Sequence, residues 1–280
     1  MSNPIATGAD DSYQVVIVNY GRRSTVKSDV YLNYPVYGEP DEPIGMDYFF
    51  WVVRNTARTI LVDTGFSVAG GEARRRDFLI APRRALEVLG VDPDSVTDIV
   101  LTHAHYDHAG NLDLFPNARI TMAREEYSFW SGEHAHRTQF HHSVEDAELQ
   151  TIQRAMAEGR IELFDDRIAP WPGIEVVRIG GHTPGQSVLT VMTAEGVVLL
   201  ASDAIHYYEE YERDMPFAFV ADLVGMYAGF DTIRQLSESG SIDHIVSGHD
   251  PSTLGRFTPM TGELAGLAAT VGTFTGTDDE

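Results

Sequence analysis

The chain has 280 residues, 43% of them hydrophobic, which is enough for one compact domain with a sizeable core; 20 basic against 42 acidic residues leave a formal charge of −22. That charge repels phosphate backbones and anionic lipid, so neither nucleic acid nor a membrane surface is expected as a partner. The absence of cysteine removes disulfides, thiolate metal sites and cysteine nucleophiles, and any metal must be held by nitrogen and oxygen.

In chain order, the opening MSNPIATGADD has neither the basic start nor the apolar run of a secretory signal, and no later stretch is apolar enough to span a bilayer, so a cytoplasmic protein is expected. Residues 13–20, 48–53 and 59–63 are β-branched and aromatic runs that predict strands, with a Pro-rich surface loop over 34–43 between them. Arg74, Arg75 and Arg76 are flanked by Glu72 and Asp77 and are expected to be a solvated stretch. Residues 82–89 predict a short helix ended by Gly90, and 97–102 a strand that runs into a histidine cluster. A strand over 118–122, a helical turn over 124–130 and an amphipathic helix over 144–158 stopped by Gly159 follow. In the second half, 173–179, 187–193, 196–201 and 242–246 predict strands, and 217–236 is expected to be mainly helical. The apolar face of residues 220–233 suits core packing or a homodimer contact equally. Strands bunched in both halves with helices between and after them predict two sheets packed face to face with helices outside, in one domain over 1–280 whose core runs from about 12 to 272 between frayed termini.

The segment LTHAHYDHAGN places His103, His105, Asp107 and His108 within six residues, directly after a strand. At an extended strand end His103 and His105 point the same way, while Asp107 and His108 lie past the bend and can turn to a second centre. Four ligands are too few for two catalytic ions, each of which also keeps a position open for water. The proposal therefore requires further ligands at other strand ends, and His182 in GGHTPG, Asp203 after VVLLASD and His249 in HIVSGHD supply them. By contrast, His134, His136, His141 and His142 follow no strand and have no carboxylate among them, and predict a loop or lid. Phe49, Trp51, Trp130, Phe140, Tyr207, Met215 and Phe217 flank the expected edge and are candidates for an apolar pocket or for the core.

HAHYDHAG, GGHTPGQS, SDA and SGHD, in this order over roughly residues 49–249, resemble the metallo-β-lactamase superfamily. The resemblance implies an αββα sandwich of two mixed β-sheets flanked by helices, an α/β (α+β) fold. It implies His103, His105 and His182 on one metal, Asp107, His108 and His249 on the other, and Asp203 as the bridge. Asp63 in LVDTG resembles the family acid that orients a ligand imidazole by hydrogen bonding. The metals implied are two divalent cations, zinc foremost, with manganese, iron or cobalt accepted by the same donors. The bridging Asp203 disfavours β-lactam hydrolysis, and the acidic charge disfavours nucleic-acid processing.

DYFFWVVRN, HYDHAGN and GHD look most like the N-acyl homoserine lactonases, so opening of a lactone ring by a metal-bridging hydroxide is expected, with Asp107 or Asp203 moving the proton and a small molecule as the substrate. That family commonly presents a tyrosine three residues after the bridging aspartate; here the position is His206, and Tyr207 and Tyr208 follow, so His206 or Tyr207 is expected to assist the reacting oxygen. A cyclic amide is an alternative substrate. A thioesterase like glyoxalase II ranks second, because it needs positive groups for glutathione and the chain ends in the acidic Asp278, Asp279 and Glu280. An iron-dependent persulfide dioxygenase is the remaining alternative.

Overall fold

Alternation along the strands decides the architecture. In β1 (Gln14–Val26) Val15 and Ile17 enter one apolar cluster while Val16 and Val18 enter another, because successive side chains point to opposite faces of a sheet. In β2 (Pro43–Arg54) Phe49, Trp51 and Val53 take the first side and Phe50 and Val52 the second. Both faces of this sheet are therefore covered.

The structure, a computed structural model, describes residues 12–274, and the expected frayed ends and acidic terminus lie outside them. The remaining strands are β3 (Thr59–Val62), β4 (Asp77–Phe78), β5 (Asp98–Val100), β6 (Arg119–Ala123), β7 (Ile161–Phe164), β8 (Arg167–Trp171), β9 (Ile174–Arg178), β10 (Ser187–Thr193), β11 (Gly196–Ser202), β12 (His244–Ser247), β13 (Thr258–Pro259) and β14 (Ala268–Val271). One mixed sheet has the order β13-β14-β1-β2-β3-β5-β6-β7, with β4 beside β1; the second has the order β12-β11-β10-β9-β8. Pairing is parallel from β3 through β7 and between β11 and β12, and antiparallel elsewhere.

Val15, Ile17, Trp51 and Val62 of the first sheet meet Val176, Leu189, Val198 and Val246 of the second in the inter-sheet core. The outer face of the first sheet packs under Leu86, Leu89, Leu149 and Ile152 from the helices Pro82–Val88 and Asp146–Ala157 and the residue that ends the former. The outer face of the second receives Ile233 of the helix Leu223–Glu238 against Val188, Leu199 and Ala201. This is an αββα sandwich of two mixed sheets. Among the described residues no helix is long and apolar enough to cross a membrane.

Two expectations change. β2 begins at Pro43, five residues before the expected start, because its first residues pair with the far end of β1, where Arg23 faces Met46 and Val26 faces Pro43. Residues 217–221 are not helical: the helix starts only after Asp222, whose side chain accepts from Val224 N at 3.0 Å. Its apolar face, Met226, Phe230 and Ile233, is buried within the fold and leaves Leu223 and Val224 outside.

Candidate metal centre

All the strands that deliver chemistry release it at their C-terminal ends. His103 and His105 follow β5, His182 follows β9, Asp203 follows β11 and His249 follows β12. Asp107 and His108 sit in the single helical turn Tyr106–Ala109. Side-chain atoms of His103, His105, His182 and Asp203 lie within 4.8 Å of one another, and those of Asp107, His108 and His249 form a second such group. Asp203 joins the two. Its Oδ1 is 3.2 Å from Nε2 of both His108 and His249, and its Oδ2 is 3.4 Å from His182 Nε2 and 3.7 Å from His103 Nε2. Asp107 Oδ2 stands 3.8 Å from His108 Nε2 and 3.7 Å from His249 Nε2.

The backs of the imidazoles are anchored. His108 Nδ1 is 2.7 Å from Asp63 Oδ2, His182 Nδ1 is 2.7 Å from the Phe219 carbonyl, and His249 Nδ1 is 2.7 Å from the Asp47 carbonyl. With those Nδ1 atoms bound to acceptors, each Nε2 lone pair faces inward, the tautomer a metal ligand needs. Asp63, in a left-handed turn at φ 60°, also accepts from Thr102 N at 2.8 Å and Thr102 Oγ1 at 2.7 Å. It thereby fixes the strand end next to His103.

A cation fits this arrangement. His103 Nε2, His108 Nε2 and Asp203 Oδ1 are buried with no hydrogen-bond partner, which is costly for polar atoms unless something else satisfies them. Burial pushes the pKa of His103 and His105 well below the usual imidazole range, and burial with the neighbouring His206 takes His182 down to about 3. Neutral imidazole is the form that binds metal. Burial opposes protonation of His108 too, yet Asp203 and Asp63 outweigh it and raise its pKa, so a cation must displace a proton there.

Two buried carboxylates, Glu126 and Glu210, hold the site and carry no spacing signal in the sequence. Glu126 accepts from Ala104 N at 2.9 Å, Trp130 Nε1 at 2.7 Å, Thr183 Oγ1 at 2.7 Å and Gly185 N at 2.9 Å. It clamps the loop of His103 and His105 to the loop of His182. Gly185 is required there, since a Cβ would stand 2.3 Å from Glu126 N. Gly248 has the same function beside the bridge, where a Cβ would come within 2.7 Å of Asp203 Oδ1.

Glu210 accepts from the backbone of His206, from Tyr207 N at 3.1 Å and from Phe217 N at 2.6 Å, and its Oε2 is 3.1 Å from His206 Nδ1. His206 is fully buried, its ring stacks on Phe217 at 3.9 Å, and its Nε2 lies 3.1 Å from Asp203 Oδ2. Burial works against its charge, but Glu210 and Asp203 raise its pKa to about 9. The structure thus places His206 behind Asp203. Tyr207 is not brought to the cluster, because its hydroxyl donates to the Gly45 carbonyl at 3.0 Å. Tyr208 likewise donates to the Ile245 carbonyl at 2.9 Å.

Glu148 has one oxygen 3.1 Å from Ser67 Oγ and the other buried without a partner, and burial pushes its pKa up to about 8. The folded chain then keeps a proton that the unfolded chain releases near pH 4.5. Its contribution to stability is complete below that pH and is lost as pH rises through about 8. Glu148→Gln is expected to melt several degrees above the parent at alkaline pH and to converge with it in acid, by calorimetry. An equal shift at both extremes would contradict this role.

A cavity of about 170 Å³ opens over the cluster, walled by Tyr48, Tyr106, Phe217, Phe219 and the arginines Arg23, Arg74 and Arg76. The expected solvated arginine stretch is corrected here. Arg75 is exposed and turns the chain at φ 55°, while Arg74 and Arg76 on either side face inward. Of the aromatic and methionine candidates read from sequence, Phe217 lines this cavity, and Phe49 and Trp51 belong to the inter-sheet core. Phe140 lines an adjoining groove that shares His105, His182 and Phe219. The histidine run from 134 to 142 lies in short helical turns at the surface, from which His142 reaches the cavity wall.

Comparison with known proteins agrees with this geometry. An N-acyl homoserine lactonase of a Bacillus species is 26% identical over 227 residues, covering 76% of this chain and 81% of that protein. A solved quorum-quenching N-acyl homoserine lactone lactonase superposes with a TM-score of 0.70 at 22% identity, covering 85% of this chain and 92% of that one. The dizinc quorum-quenching lactonase AidC, solved with a product bound, gives a TM-score of 0.69 at 20% identity over 93% and 94% of the two chains. The model of one family matches residues 46–249, most of the chain. The sandwich, the cluster at one edge of it and this match together show that the chain belongs to the metallo-beta-lactamase superfamily.

Proposed function

We propose that this chain is a hydrolase dependent on two divalent cations, zinc foremost, and that it opens lactone rings of the N-acyl homoserine lactone type. The observation that carries the reading is Asp203, whose two oxygens face both ligand groups at once. The similarity to lactonases supports the substrate class.

Two cations held in this nest would supply a water acidified toward pKa ~7 and polarisation of the ester carbonyl. His103, His105 and His182 would hold one, Asp107, His108 and His249 the other, and Asp203 both. The net reaction adds water across the ring ester: the acyl C–O bond breaks, the ring oxygen takes a proton, and a carboxylic acid is released. Asp107 lines the cavity and can carry that proton from the attacking water to the leaving oxygen. His206, held by Glu210 and buried behind Asp203, sets the orientation of that carboxylate instead of touching the substrate. Phe217 and Phe219 exclude water beside His182.

Zinc-loaded protein is expected to release protons from homoserine lactones of varied acyl length and to stop when chelated. A panel that adds a cyclic amide, a β-lactam and lactoylglutathione separates the alternatives; the arginines of the cavity wall supply the positive groups that the thioesterase alternative needs. Turnover of lactoylglutathione without turnover of any lactone would overturn the lactonase reading.

A further inference from the structure

The cavity over the cation nest has a basic wall, in a chain of net charge −22. Three guanidinium groups line it, and they are not equivalent. Arg74 is neutralised: it pairs with Glu145, donates to the carbonyls of His142 at 2.7 Å and Val144 at 3.2 Å, and lies 4.1 Å above the Tyr106 ring. Arg76 donates to Tyr106 Oη at 3.0 Å and to the Arg74 carbonyl, at 2.6 Å, and sits over the Tyr48 ring. No carboxylate among the described residues forms an ion pair with it. The acid that acts on it most directly is Asp107, which belongs to the cation nest. Arg23, on β1, has its Nε buried with no hydrogen-bond partner, and no ion pair within the described residues engages it. Its charge lies close enough to Tyr48 and Tyr207 to act on both phenols.

A half-buried guanidinium on a cavity wall with no carboxylate to pair with is costly, unless a ligand fills the role of the missing anion. Two of them on one wall present forked donors of the geometry that carboxylates match. We infer that the substrate carries a carboxylate, which Arg23 and Arg76 receive while the ring ester lies over the cation nest. The proposal rests on the lactonase reading and narrows it from neutral lactones to acidic ones. The volume fits: about 170 Å³ is the liquid share of about six waters, room for a small ring with a short acidic substituent. Longer neutral chains would have to run into the adjoining groove past Phe140 and Phe219.

The test compares a five-membered lactone bearing a ring carboxylate with its carboxamide, which has the same shape without the charge. Parent protein loaded with zinc is expected to open the acid with a kcat/KM about 100-fold above the amide. In Arg23→Gln and Arg76→Gln that ratio should fall at least about tenfold, mainly through KM of the acid. Equal rates for acid and amide in the parent, or a ratio untouched by either substitution, would overturn the proposal. If neither lactone is opened, the lactonase reading fails by itself, and glutarate titrated calorimetrically into the zinc-loaded protein decides the anion site. Binding that disappears in the double variant supports the site, and no binding to the parent refutes it.

Discussion

Asp203→Ala is expected to lose most of its bound metal and to lower lactone turnover by about a thousandfold or more. Oδ1 of this carboxylate stands 3.2 Å from the imidazoles of His108 and His249, and Oδ2 stands 3.4 Å from that of His182 and 3.7 Å from that of His103. Its removal leaves buried imidazoles facing one another with nothing to hold two cations together or offset their charge. Asp203→Asn keeps the shape without the charge and should fall between the parent and the alanine variant in metal content. Metal per chain after dialysis, measured by mass spectrometry beside proton release from a lactone, checks both. Two cations and near-normal turnover in Asp203→Ala would remove the bridging role.

Glu126→Ala should be the most destabilising single change near the site. It strips the acceptor from four buried donors on three segments: Ala104 N, Trp130 Nε1, Thr183 Oγ1 and Gly185 N. An abandoned buried donor costs about 1–3 kcal/mol, so even with relaxation a loss of about 3–6 kcal/mol follows. That is a large share of a total stability of about 5–15 kcal/mol, and for a chain of this size it lowers the melting temperature by roughly 10 °C or more. Since the same carboxylate joins the loop of His103 and His105 to the loop of His182, metal release should accelerate as well. Calorimetry and the rate of metal transfer to a chromogenic chelator test the two effects. An unchanged melting temperature with unchanged metal release would refute the clamp.

The parts of the fold legible in sequence are those where one periodicity governs. Val15 to Val18 and Phe49 to Val53 alternate strictly, and both sides of the alternation are apolar because both faces of the sheet are covered. The strand ends that carry the ligand residues were also legible, since His103, His182, Asp203 and His249 each follow an apolar run. Edge strands were not. β8 contains Arg167 and Pro170, and β13 is Thr258–Pro259; exposed residues at a sheet border need no alternation. Residues 217–221 have the apolar content of a helix start, but Asp222 caps the helix later and frees the Phe219 carbonyl for His182.

Glu126 and Glu210 illustrate the larger gap. A lone glutamate on a short helix has no motif, and only the packing of distant loops makes it an acceptor for several donors. Arg74 and Arg76 read as a solvated charge run because local composition does not report the turn at Arg75 that sends their side chains inward. The same limit applies to His206, whose full burial and stacking on Phe217 local composition does not report.

Metal counting on the active protein tests the central claim most directly. Protein with full lactone-opening activity should contain about two divalent cations per chain, lose turnover in step with their removal by a strong chelator, and regain it when zinc is returned. Full turnover from a sample that contains no bound cation and ignores the chelator would contradict the account.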